Sequence, residues 1–146
     1  MFFKLSLISV LLMSITACGD DSGSMSLNHC QGDSSPAELD LSYCMDYELS
    51  VVTSDFLAVY EEQCTDTVEG TWVPDTLCTV APGTRGCAFN GSAGTVTTWF
   101  SGAYYDDTFW SSPSNGTPEQ TNEEVYQADC TAAGSDTSMN HTWVIK

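Results

Sequence analysis

Imidazole chemistry in this 146-residue chain is confined to His29 and His141. A Ser-His-acid or Cys-His site needs a positioned imidazole as base. His29 falls in a polar N-terminal stretch, so His141 is the one reasonable candidate, and a hydrolase would have to pair it with a nearby carboxylate. No G-x-S-x-G elbow frames a nucleophilic serine. The adjacent acids Glu61-Glu62, Asp106-Asp107 and Glu123-Glu124 diverge on any regular element, whereas glycoside hydrolysis needs two carboxyls facing each other about 5–10 Å apart. These pairs are read as solvent-facing. Metal binding fares no better: there is no C-x-x-C, only His29-Cys30 sets the two ligand types side by side, and no D-x-D-x-D-G calcium loop occurs. No phosphate-cradling or dinucleotide-binding loop is present, so no cofactor is expected. The expectation is a protein that is not an enzyme.

The N-terminus carries stronger information. Lys4 is the only charge before Asp20, Leu5 to Ile15 is an apolar run broken by serines, and the small residues Thr16 and Ala17 lead to Cys18. That run is too short to span a bilayer, which takes about 20 apolar residues, and it reads as an export signal over residues 1–17. The box Ile15-Thr16-Ala17-Cys18 resembles the lipid-attachment site of bacterial lipoproteins, with Ile15 where Leu is usual. The resemblance implies that the Cys18 thiol receives a diacylglycerol, that the bond before it is cut, and that the new amino group is acylated. Several acyl chains at about 0.8 kcal/mol per buried methylene would make the anchor effectively permanent. Gly19, not Asp, follows Cys18, and in such lipoproteins this favours sorting to the outer membrane. An ordinary cleaved secretory peptide is the alternative.

Cleavage would leave 129 residues, enough for one modest domain. Of the three basic residues, Lys4, Arg85 and Lys146, it removes the first, taking the formal charge from −17 to −18. Such a charge repels phosphate backbones and anionic headgroups, which excludes nucleic acid as a partner and leaves the lipid as the membrane contact. Subtracting Cys18 from seven cysteines leaves Cys30, Cys44, Cys64, Cys78, Cys87 and Cys130. An even count in an exported chain predicts three disulfides, and fifteen pairings are open. Cys78 and Cys87 are the nearest in sequence and flank Ala81-Pro82-Gly83, a turn that could join them.

Residues 18–36 are rich in Gly, Ser and Asp and read as a flexible tether, with the globular domain at 37–146. Leu39 to Leu49 alternates as a strand with Cys44 on the face opposite Tyr43, Met45 and Tyr47. Ser54 to Gln63 has helical spacing with Thr53 or Ser54 as N-cap. Thr84–Asn90 and Thr95–Phe109 read as hairpin arms around Asn90 to Gly94. Thr117-Pro118-Glu119-Gln120 reads as a capping box opening a helix to about Ala132, and Thr142 to Ile145 as a closing strand. The aromatics Trp99, Tyr105 and Phe109 fall on one parity of the long arm, and Phe100, Tyr104 and Trp110 on the other. One set can pack under the helices, leaving Phe100, Tyr104 and Trp110, or the opposite three, as candidates to stack on a sugar or another small ligand or to receive an envelope protein; the alternative is that helices and a curled hairpin cover both faces.

Val59-Tyr60 to Cys64-Thr65 and Val125-Tyr126 to Cys130-Thr131 match as V-Y-x-x-x-C-T, and each precedes a Thr-Trp-Val, at 71–73 and 142–144. This implies two strand-helix-strand units, with Tyr60, Cys64, Tyr126 and Cys130 facing the sheet. From Tyr43 onward the pattern resembles small cysteine-rich bacterial lipoproteins, in which strands carrying Tyr-Cys, Cys-ended helices and a Gly-Cys before an aromatic hairpin recur. That likeness transfers no activity. The expected fold is α+β: a single small domain, two strand-helix-strand units and a β-hairpin in one sheet, two helices on one face, stapled by disulfides. The expected role is a lipid-anchored envelope protein acting as a structural or interaction module, with carbohydrate binding or hydrolysis as alternatives.

Overall fold

The computed structural model describes residues 25–33, 42–50, 53–67, 69–133 and 140–146. They form a six-stranded sheet: β1 Ser26–Asp33, β2 Ser42–Leu49, β3 Thr71–Pro74, β4 Arg85–Gly91, β5 Gly94–Ser101 and β6 Asn140–Ile145. The strand order is β3-β1-β2-β5-β4-β6, and every neighbouring pair is antiparallel. Helices α1 Ser54–Glu62, α2 Asp107–Ser111 and α3 Asn122–Ala133 complete a small α+β domain.

The registers expose a two-fold relation between the halves. Cys30 lies opposite Met45 and Trp72, and Cys87 lies opposite Thr98 and Trp143. Met45 and Thr98 are themselves partners across β2 and β5, so a pseudo-two-fold axis passes through that pair. The repeating unit is thus strand-strand-helix-strand, one strand longer than the motif match implied. Its disulfides correspond: Cys30–Cys64 ties β1 to the π-helical turn Gln63–Thr67 that continues α1, and Cys87–Cys130 ties β4 to the last part of α3, both with Cα atoms 5.8 Å apart. So do its aromatics. Tyr47 meets Tyr60 and Trp72 at 5.1 Å each, and the corresponding Phe100 meets Tyr126 at 5.2 Å and Trp143 at 5.9 Å.

Cross-strand partners share a face, so Cys30, Tyr47, Phe100 and Cys87 all point to one side, and α1 and α3 cover that side. Tyr60, Cys64 and Cys130 are buried beneath them. The other face is crossed by the connection from edge strand β3 to β4. Cys78 in this strap bonds to Cys44 on β2, and a small cluster of Cys44, Cys78 and Trp99, with Val80 and Val144, fills the space below. Cys44 therefore does point away from the helices, as the alternation in β2 implies. Leu39 and Leu41 lie outside the described residues.

Four local expectations are corrected. Ser26–Asp33, inside the stretch read as tether, is a strand between β2 and β3, so the folded part begins before residue 37. Its composition hides it because β1 owes its place to ladder hydrogen bonds and the Cys30 staple, with Leu27 its one large apolar residue. The long aromatic arm ends at Ser101: Gly102 takes φ 97°, a short 3₁₀ turn Ala103–Tyr105 follows, and Asp106 caps α2 by accepting from the Phe109 amide at 2.7 Å. The helix expected from residue 117 starts at Asn122. Residues 117–120 close a turn through Gln120 N–H to the Thr117 carbonyl, while Thr121 and Glu124 form the reciprocal capping box, with Glu124 Oε2 accepting from the Thr121 amide at 2.7 Å and Thr121 Oγ1 from the Glu124 amide at 3.3 Å. Cys78 pairs with Cys44 and Cys87 with Cys130, because the 81–83 turn serves to enter an edge-paired strand instead of folding the two cysteines together.

Candidate functional site

Beyond Ser101 the chain builds an aromatic cap at one end of the sheet. Trp110 is 1% exposed; its indole N–H donates to the Tyr105 carbonyl at 2.9 Å. Its ring stacks on Tyr105 at 5.5 Å and meets Tyr126 edge-on at 5.4 Å. Phe100 is enclosed by Tyr105, Trp110, Tyr126 and Trp143 at 5.2–6.0 Å. The strand parity that grouped Phe100, Tyr104 and Trp110 stops at Ser101, and the three residues part company. Trp110 and Phe100 belong to packing; Tyr104, 39% exposed, lies on the surface against Phe109 at 4.8 Å and Tyr105 at 5.4 Å. Burial pushes the Tyr105 phenol well above the ordinary tyrosine range and raises that of Tyr126 as well.

The acidic pairs acquire separate tasks. Arg85 lies 5.7 Å over the Trp110 ring and donates to Asp107 at 2.8 Å, to Glu123 at 3.4 Å and to the Gly83 carbonyl at 3.0 Å. Asp106 and Glu124 cap helices, and Glu61 and Glu62 are exposed. Tyr104, Asp106 and Asp107 are exposed at the cap.

The strap side of the sheet holds a feature not anticipated from composition. Asp46 is 2% exposed, and its two oxygens accept from the Cys78 amide at 2.5 Å and from the Trp99 indole N–H at 2.8 Å. His29 is its cross-strand partner and bonds through Nδ1 to the Thr76 carbonyl at 3.0 Å. The signal was available: Asp46 shares strand parity with Cys44, so a strand that buries Cys44 must bury Asp46 as well.

The hydrolase candidate His141 is buried opposite Phe89, its ring edge-on at 4.4 Å. Neither ring nitrogen has a hydrogen-bond partner among the described residues, and register sets it on the helix side of the sheet, away from His29 on the strap side. All six cysteines 30, 44, 64, 78, 87 and 130 are in disulfides. Among the described residues no group of three or more His, Cys, Asp or Glu side chains could hold a metal ion, and no helix is long and apolar enough to cross a membrane. An open depression of about 380 Å³ lies along the β1–β3 edge, lined by Gln31, Gly32, Glu69, Thr71 and Val73, without a histidine. Cys18 lies outside the described residues. Comparison with family models, curated proteins and solved structures finds no match.

Proposed function

We propose that this chain is a lipid-anchored protein of the cell envelope, held at the outer membrane through Cys18 and acting as a non-enzymatic interaction module. The observation that carries the reading is the pairing of cysteines 30, 44, 64, 78, 87 and 130 into three bridges, which leaves Cys18 of the lipobox as the remaining one of seven. Such bridges belong to an oxidising, exported setting.

Register supports an orientation at the membrane. Ser26, where β1 begins, lies level with Leu49 and Gly94, and the opposite end of the sheet is marked by Ser42 and Ser101. Eight residues from Cys18 to Ser26 reach at most about 28 Å, and an eight-residue strand is about 27 Å long. A tether about as long as the sheet joins the Ser26 end to the bilayer, and the aromatic cap, with Tyr104, Asp106 and Asp107, lies at the far end of the sheet, where it can meet envelope partners.

Metabolic labelling with a radioactive fatty acid tests the anchor. Label on the wild type and none on Cys18→Ser, with release of that variant from the membrane fraction, is the expected result; an unlabelled, soluble wild type would sink it. A second reading, glycan or small-ligand binding at the cap, is favoured by the exposed Tyr104 ring beside Phe109. Retention on peptidoglycan or a glycan array that is lost in Tyr104→Ala would support it.

A further inference from the structure

Asparagine precedes glycine twice in this chain, at Asn90-Gly91 and Asn115-Gly116, and the fold treats the two very differently. Asn90 is held in β4 between Thr95 and Asn140. Its Oδ1 accepts from the Thr95 hydroxyl at 2.9 Å and its Nδ2 donates to the Asn140 carbonyl at 3.3 Å. Gly91 is the last residue of that strand, paired with Gly94 across the hairpin. The second dipeptide occupies a surface loop whose base is closed by the Ser114 amide on the Gln120 carbonyl at 2.9 Å and by a bridge between Pro113 and Thr121. Asn115 and Gly116 are both exposed, no hydrogen bond holds either among the described residues, and a Cβ built on Gly116 would meet nothing within 4 Å.

We propose that Asn115 is a site of spontaneous, intramolecular deamidation and that Asn90 is protected. The reaction needs the glycine amide nitrogen to reach the asparagine side-chain carbonyl carbon, which a following residue without Cβ permits. At residue 115 the Gly116 nitrogen gives its proton to solvent base and bonds to Asn115 Cγ. The bond from Cγ to Nδ2 breaks and ammonia leaves, forming a five-membered imide. Water then adds at either imide carbonyl and the ring opens to aspartate or to isoaspartate, with no oxidant or reductant involved. At Asn90 the same closure would have to break both side-chain hydrogen bonds and turn an extended strand residue out of its ladder.

The product adds one negative charge to a surface already strongly acidic. The isoaspartate form also inserts a main-chain methylene into the loop closed by Ser114 and Gln120, one turn ahead of the capping box that starts α3.

The full chain, incubated in mildly alkaline buffer and digested with chymotrypsin, should gain the mass of an amide-to-acid conversion in the peptide containing Asn115. The peptide containing Asn90 should stay unchanged, and enzymatic methylation of isoaspartate should report residue 115. Gly116→Ala should slow the conversion on the order of tenfold. In denaturant both asparagines should convert at similar rates, which separates protection by the fold from an effect of neighbouring residues. Conversion of Asn90 as fast as Asn115 in the native protein overturns the proposal. So does a native Asn115 that persists while the denatured chain converts.

Discussion

Asp46 and Trp99 occupy equivalent positions in the two halves of the domain, and they hydrogen-bond to each other across the axis that relates them, Oδ2 to indole N–H at 2.8 Å. Symmetry of backbone has been joined to asymmetry of side chain. The pair sits where the strap returns over the sheet, and the second Asp46 oxygen fixes that strap through the Cys78 amide.

Removing the acid leaves two buried donors without an acceptor, each costing about 1–3 kcal/mol. Asp46→Ala is expected to lose about 3 kcal/mol in urea unfolding and Asp46→Asn about half of that, since one acceptor remains. Adding Trp99→Phe to Asp46→Ala should cost less than Trp99→Phe alone, because the orphaned indole N–H is gone.

The two equivalent disulfides should be worth nearly the same. With the partners 34 and 43 positions apart, chain entropy gives about 4 kcal/mol for each loop. Cys30→Ala with Cys64→Ala, and Cys87→Ala with Cys130→Ala, should lower thermal stability by amounts that differ by less than about 1 kcal/mol. A large inequality would show that one half depends on its staple and the other does not.

Two residues of the aromatic arm should separate cleanly. Trp110→Ala empties a fully buried site and is expected to cost about 3–5 kcal/mol. Tyr104→Ala should fall within about 1 kcal/mol of wild type, leaving its effect on glycan or partner retention interpretable. Denaturation of the two variants side by side checks this.

Gly94 has φ 138°, and a Cβ there would run into the Glu48 carbonyl oxygen. Gly94→Ala is expected to destabilise by about 3 kcal/mol or more. Loss of the Ser50 amide contact with Ala93 should show as faster hydrogen exchange at the hairpin tip.

Burial raises the phenol pKa of Tyr47 and Tyr105, and by smaller amounts those of Tyr60 and Tyr126. A raised folded value means that the native state keeps protons the unfolded chain gives up. Stability is then full below the unfolded tyrosine value near 10 and falls as pH climbs above it. Urea midpoints measured across that range should drop, and Tyr47→Phe should flatten the decline; a flat wild-type profile would contradict it.

Several elements were legible along the chain because their signals are local. The Thr53 cap and the inward spacing of Phe56 and Tyr60 define α1, with Cys64 just beyond its end; alternation in β2 sets Cys44 against Tyr43, Met45 and Tyr47; and the V-Y-x-x-x-C-T match marks the two helices that the registers show to be equivalent. Where the signal was non-local, reading failed. β1 carries little apolar pattern, and only its neighbours β2 and β3 make it a strand. Trp110 and Phe100 look available for a ligand until Gly102 turns the chain back and packs them under Tyr105 and against Tyr126.

By itself the sequence determined what depends on composition and short-range order: a strongly acidic chain, a short apolar N-terminal run that ends at Cys18, six further cysteines, and the α+β class. Only the tertiary structure decided which cysteines meet, which aromatics are spent on packing, and that Asp46 is buried on two donors. The cysteine partners stand 34 to 43 positions apart and Asp46 stands 53 from Trp99, and neither periodicity nor spacing along a chain encodes which strand will lie beside which.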